Sequence, residues 1–315
     1  MQATVERPIG TGTSWTERLR TPLAFLAVLL FFILLWEGYK VFGKATFGAD
    51  RPFFWVPRPD NTSMPHVWDI VDSLFSPVSR ARGADPLILI LLRNAATTAY
   101  RAGLGFLIGS AAGFTLGAVF SRSRLLERGL MPFVVASQTI PLIAIAPMIV
   151  IWGGRIGWPP LFSVAIISAY LAFFPVTINS LRGLRSPDPR AIELMRSYAA
   201  SKRQILWKVR LPASLPYLFT ALKIAATTSV IGAIVGELPA GVPDGLGRAL
   251  LTFNQYFITG PERMYAAILV SALVGIGFYA IVALAETLVE RRSHQQRPAD
   301  IGELTEGAVE ELERL

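Results

Sequence analysis

The chain has 315 residues, 52% of them hydrophobic and only 17% charged, with a mean hydropathy of +0.47, which excludes a single soluble domain and requires several membrane spans. It has no cysteine and two isolated histidines, His66 and His294, so a disulfide framework and a thiolate or histidine metal site are excluded and no cofactor is expected. The net charge of +8 is carried mostly in short loops between apolar runs, a distribution that orients a membrane protein and does not describe a nucleic-acid surface.

Residues 1–21 form a polar segment with Arg7, Arg18 and Arg20, leading into the apolar run 22–42. At 1.5 Å per residue that run crosses a hydrocarbon core of about 30 Å. The polar lead is too long for a secretory signal, and no small-residue cleavage site follows it. Residues 43–93 read as an external loop rich in proline and aromatics. Inside it Val67, Ile70, Val71 and Leu74 fall at helical spacing opposite Asp69 and Asp72, which predicts an interfacial helix over 65–75. Phe53, Phe54, Trp55 and Trp68 then sit at headgroup depth. Two uses of this loop stand, a platform for an external protein or simple anchoring.

A second span over 94–120 carries Gly105, Gly109, Gly113 and Gly117 at a strict four-residue interval, a groove into which a neighbouring span packs. A phosphate-cradling loop is excluded there, because no Lys-Ser or Lys-Thr follows and no strand precedes. Arg101 is costly to bury and is expected near the outer headgroups or a wet cavity. After Arg122, Arg124 and Arg128, a third span over 130–151 is interrupted by Pro132, Pro141 and Pro147. Backbone groups near Gln138 and Thr139 lose their helical partners, and broken helices of this kind line translocation paths as often as they only shape packing. A fourth span over 161–181 ends with Pro175 and Asn179. Gln138, Thr139, Pro141, Asn179 and Glu237 are the path candidates.

Residues 187–212 are the long charged interruption of the apolar half. Asp188 as N-cap and Pro189 as first residue predict a short helix with Ile192, Met195 and Ala199 on one face. Ser201 and Gln204 form a capping box that opens a second helix, carrying Ile205, Leu206 and Val209 and stopping where Leu211 meets Pro212. The charges are too many for a core and the apolar neighbours too many for a free loop, so a partner should cover the segment. A fifth span over 216–238 follows, with Lys223, the pair Gly232 and Gly236, and Glu237 at its exit, either a site or a hydrated carboxylate. Leu246, Leu250, Phe253 and Phe257 predict an outer amphipathic helix, a sixth span covers 265–288, and 289–315 is a polar, acidic tail expected to be mobile. The basic loops after spans two and four, against single or paired basic residues after three and five, place both termini in the cytoplasm. The loop after span one has as many basic residues, but they are diluted along its length.

Glu193-Leu194-Met195, Ala199, Ile205 and Leu211-Pro212 resemble the "EAA" loop of permease subunits of binding-protein-dependent ABC importers, with both alanines and the glycine of that pattern replaced. Val56-Pro57-Arg58-Pro59, Arg101 with Gly105-Phe106, Ile140-Pro141, Pro147, Trp152-Gly153, Val235-Gly236-Glu237 and Gly245-Leu246-Gly247 extend the resemblance to the nitrate, sulfonate, taurine and bicarbonate branch, which includes riboflavin and thiamine-precursor systems. The resemblance implies an all-α integral protein of the cytoplasmic (inner) membrane with six transmembrane helices and the MetI-like type I architecture, its permease core at 94–288. It implies a second permease copy, cytoplasmic ATPase subunits and an external solute-binding protein. Glu193, Met195, Ala199, Ser201, Ile205, Leu211 and Pro212 then make the ATPase-coupling loop, with Glu193 facing a basic residue of the ATPase. The chain has no Gly-Lys-Ser/Thr phosphate loop of its own, so it is not expected to be an enzyme. A membrane-embedded enzyme would need convergent polar groups that the spans do not offer. The remaining rival is an ion-coupled secondary transporter, separated from the importer by whether transport needs ATP or an ion gradient.

Overall fold

The computed structural model describes residues 15–47, 59–78 and 83–295, and the regular structure among them is helical. The helices are α1 (Trp15–Phe47), α2 (Val67–Phe75), α3 (Leu87–Arg122), α4 (Arg124–Ser137), α5 (Leu142–Arg155), α6 (Pro160–Arg185), α7 (Pro189–Ser197), α8 (Lys202–Ile205), α9 (Leu211–Glu237), α10 (Leu246–Gln255) and α11 (Pro261–Gln295). Five helical stretches are long and apolar enough to cross a membrane, or six if the bent pair α4 and α5 counts as one. The acidic tail beyond residue 295, the aromatic run 53–55 and Val56-Pro57-Arg58 lie outside the described residues.

The chain divides into two units. The first comprises residues 1–87 and 253–266. Here the C-terminal end of α1 holds the segment that leads into α2. Glu37 accepts from the Val67 amide at 2.8 Å and meets His66 Nδ1 at 2.7 Å, so a carboxylate from a span caps the first turn of α2. Trp36 Nε1 donates to the Pro65 carbonyl at 3.1 Å, and the Tyr265 hydroxyl donates to that of Ser63 at 2.7 Å. The helix predicted over 65–75 is therefore present as α2, and Trp68 on it is 59% exposed.

The second unit comprises residues 88–252 and 267–315, and its centre is α6. Half of the most apolar window of α6 is buried, against 11% for α1, because helices pack on both of its sides. On one side lies the glycine face of α3. A Cβ on Gly109 would come 2.5 Å from the Ala169 carbonyl oxygen, one on Gly113 would come 2.5 Å from that of Phe173, and one on Gly117 would come 2.7 Å from Ser180 Cβ. On the other side lies α9, where a Cβ on Gly232 would come 2.7 Å from Ser168 Cα. Ser168, fully buried between them, donates to the Ser229 carbonyl at 2.7 Å. Small residues thus bring three helices to backbone contact, where dispersion has to hold what the hydrophobic effect cannot. Ala172, Val176, Ala221 and Ala225 fill the seam between α6 and α9. Lys223 on α9 pairs with Glu286 on α11 at 2.8 Å, which satisfies both charges within the apolar spans.

The third span is broken near Gln138 and Thr139 as expected: α4 and α5 meet at 97° across residues 138–141. Pro132 and Pro147 stay inside their helices, and Pro141 alone, as N-cap of α5, marks the turn. The observed helices depart from expectation in that the chain does not stop at Leu211-Pro212. α8 runs through a π turn, Leu206–Arg210, directly into α9. The Leu211 amide reaches back five residues to the Leu206 carbonyl. This wider turn makes room for the Pro212 ring, which would clash with a carbonyl four residues back in a regular α-helix, so the helix continues where a proline was expected to end it.

Candidate functional site

One face of α3 reads Asn94, Thr98, Arg101 and then Gly105, the same stripe at i, i+4, i+7 and i+11. The three polar residues at its start hold the turn between α9 and α10. Glu237, the last residue of α9, has no exposed surface. Its carboxylate accepts from the Thr98 hydroxyl at 2.9 and 3.0 Å, from Arg101 Nη1 at 2.8 Å and from the Gly247 amide at 2.8 Å. Arg101 also donates through Nη2 to Asp244 Oδ1 at 2.7 Å and through Nη1 to the Asp244 carbonyl at 3.0 Å. The Leu246 amide donates to Thr98 Oγ1 at 2.8 Å, and the Gly245 amide to Asn94 Oδ1 at 2.9 Å. The free amides that open α10 are thus capped by two side chains of α3 and by Glu237.

Local chemistry explains the glycines. Gly245 has φ +113, and a Cβ there would run into the Glu237 carboxylate, so the turn closes over the acid only with glycine at this position. Arg101 was expected near headgroups or water, yet its side chain is only 8% exposed, because two carboxylates repay its burial. Glu237, read from the sequence as a path candidate, is fully buried within this cluster. Asn94 and Thr98 were missed, although their spacing to Arg101 and Gly105 on one helical stripe was available as a signal.

The segment 187–212 builds a second arrangement. Asp188 accepts from the Arg190 amide at 2.9 Å and opens α7. Ser201 and Gln204 exchange hydrogen bonds at 3.3 and 2.7 Å, the reciprocal capping box that opens α8. Between them α7 ends in a Schellman turn: Ala200 donates to the Met195 carbonyl at 3.0 Å and Ala199 to that of Arg196 at 2.9 Å. Ala199, with φ 53, is the non-glycine residue that takes left-handed backbone here, which is why the pattern it resembles has glycine at this position. Ala199→Gly should therefore raise stability by about 1 kcal/mol, read as an upward shift of the thermal midpoint of the purified protein. An unchanged or lowered midpoint would remove the strain argument.

Glu193 is exposed and lies in the second turn of α7. Of the face predicted on α7, Ile192 and Met195 are half-buried and Ala199 is exposed, and Leu194 (58% exposed), Tyr198 (77%) and Trp207 (59%) also stand free. Ile205 is buried, Leu211 half-buried and Pro212 exposed at the start of α9. Of the path candidates, Gln138, Thr139 and Pro141 come together at the 97° elbow between α4 and α5. The Tyr170 hydroxyl of α6 donates to the Ser137 carbonyl there and ties the elbow to the central helix. Asn179 donates to the Pro175 carbonyl one turn earlier on α6 at 2.8 Å and shares no hydrogen bond with the elbow.

Residues 105–293 match the family described as the inner membrane component of binding-protein-dependent transport systems. The chain is 37% identical over 196 residues to a formylaminopyrimidine transport permease of Halalkalibacterium halodurans, 61% of this chain and 74% of that one. It is 33% identical over 262 residues to a probable ABC transporter permease of Haemophilus influenzae, 83% of this chain and 93% of that one. Its fold is similar to that of a chain of the MetNI methionine ABC transporter in an inward-facing conformation, with a TM-score of 0.57 at 19% identity over 66% of this chain and 98% of that one.

Proposed function

The chain belongs to the family of inner membrane components of binding-protein-dependent transport systems, the permease subunits of ABC importers, and from that premise we propose how it is driven and what it carries. The segment 187–212 is the surface that docks a cytoplasmic ATPase. The observation that carries this is the exposed face of Leu194, Tyr198 and Trp207 beside Glu193, on two capped helices fused through a π turn to the span α9. A rigid-body movement of α8 is then a movement of α9, with no loop between them to absorb it. ATP is hydrolysed by that separate subunit, both termini are cytoplasmic, and a second copy of the permease completes the path.

The elbow at Gln138, Thr139 and Pro141 lines that path, since non-helical backbone at membrane depth is tolerated where it faces protein or a wet cavity. Asn179, bonded to the Pro175 carbonyl of its own helix, and Glu237, held in the ion cluster with Arg101, stay candidates for the path that the elbow lines. An external binding protein delivers the solute, and the similarity to a formylaminopyrimidine permease makes small heteroaromatic solutes the first class to test.

Glu193→Arg should uncouple the subunits while leaving the spans intact. An exposed charge in a second helical turn contributes well under about 1 kcal/mol to folding, so lost function has to reflect lost docking. The check is a pull-down of the ATPase together with substrate-stimulated ATP hydrolysis in reconstituted membranes. If the variant retains the ATPase and stimulated hydrolysis at the unmodified level, 187–212 is not the coupling element.

A further inference from the structure

We propose that a cleft between α4 and α6, at the end of the second unit that carries α7, binds one anionic phospholipid of the adjacent leaflet. The cleft measures about 810 Å³ and continues along α6 as far as Ile178, where Tyr217 of α9 borders it. On α4 its wall is Arg124, Arg128, Met131 and Val135, one helical stripe that starts cationic and turns apolar. On α6 the wall is Leu181, Arg182 and Arg185, with the same order read in the opposite chain direction. The two helices run antiparallel here, so all four arginines lie at one level and the apolar side chains at another. From Arg124 to Val135 is about 16 Å along the helix, the reach of a headgroup and part of an acyl chain.

The charge balance selects the occupant. Arg185 is already engaged, by Glu127 at 2.5 Å and by the Phe120 carbonyl at 2.9 Å. Among the described residues Arg124, Arg128 and Arg182 form neither a hydrogen bond nor an ion pair, and the cleft's one acid is Glu127. Three solvent-exposed cations with no hydrogen bond or ion pair inside the chain, over an apolar floor, match a molecule with a phosphate at one end and hydrocarbon at the other. Basic pockets between spans take such headgroups. A soluble anion would leave the floor unfilled, and a zwitterionic lipid would leave the charge unmatched. The inference rests on the permease reading only for which leaflet supplies the lipid.

The test is native mass spectrometry of the full-length protein, purified from its membranes with whatever subunits accompany it and titrated with phosphatidylglycerol or with phosphatidylcholine of the same chains. The unmodified protein should keep one phosphatidylglycerol in preference to phosphatidylcholine. Each arginine removed should weaken retention about five-fold, and Arg124→Gln with Arg128→Gln about thirty-fold, with phosphatidylcholine unaffected. If that pair does not fold, Arg182→Gln on the opposite wall supplies the single five-fold step. Equal retention of both lipids, no change in the variants, or displacement by glycerol phosphate alone overturns the proposal. So does a photo-crosslinker at Val135 that captures a second permease copy or the ATPase instead of lipid. Binding is read without transport, so failure of the importer reading, seen as ATP-independent uptake, is a separate result.

Discussion

Glu237→Ala is expected to cost about 3 to 5 kcal/mol, because it leaves the Arg101 guanidinium, 8% exposed, with half its partners and strips the Gly247 amide of its acceptor. The burial of Arg101 is tolerable only while two carboxylates share it. Asp244, 49% exposed, remains after the substitution and softens the loss without replacing the buried partner. The readout is the yield of monodisperse protein in detergent and its apparent thermal midpoint, both of which should fall sharply. Arg101→Ala combined with Glu237→Ala should be less damaging than the two single losses added, since no unpaired buried charge is left behind. If Glu237→Ala keeps the yield and midpoint of the unmodified protein, the ion cluster does not hold α10 to α3.

Gly109→Leu should prevent α3 from seating on α6. The obstacle is the Ala169 carbonyl oxygen, 2.5 Å from where a Cβ would be, with Ala172 Cβ at 2.9 Å. Backbone cannot rotate away as the end of a side chain can, so the helices must separate along the whole groove, a cost of about 3 kcal/mol or more. Even Gly109→Ala should lower the thermal midpoint. Gly275→Ala in α11, where nothing lies within 4 Å of the added carbon, is the matched control and should leave it unchanged or raised. Equal behaviour of the two alanine variants would show that the close approach of α3 and α6 does not matter to assembly.

The span pattern, the two caps of the charged segment and the amphipathic helix α10 were all legible in the sequence, because each depends on neighbours three or four residues apart. The capping box of Ser201 and Gln204 and the N-cap of Asp188 are local exchanges that no distant contact needs to support. One local rule failed, and it involves proline: Pro212 was read as a stop, but the π turn ahead of it widened the helix and let it continue. The break expected near Gln138 and Thr139 is present, and of the three prolines only Pro141 marks it. Periodicity says which side chains of α7 share a face, not that Leu194 and Tyr198 are among its most exposed apolar residues.

The sequence by itself determined that this is a multi-span helical membrane protein with a long charged segment between spans and a glycine-lined span, since composition and short-range spacing decide those features. Only the tertiary structure decided that Asn94, Thr98 and Arg101 hold Glu237 and the start of α10. Those partners lie up to 151 residues apart in the chain. A buried carboxylate and a hydrated one look alike in sequence, because what separates them is the set of donors that folding brings to their oxygens.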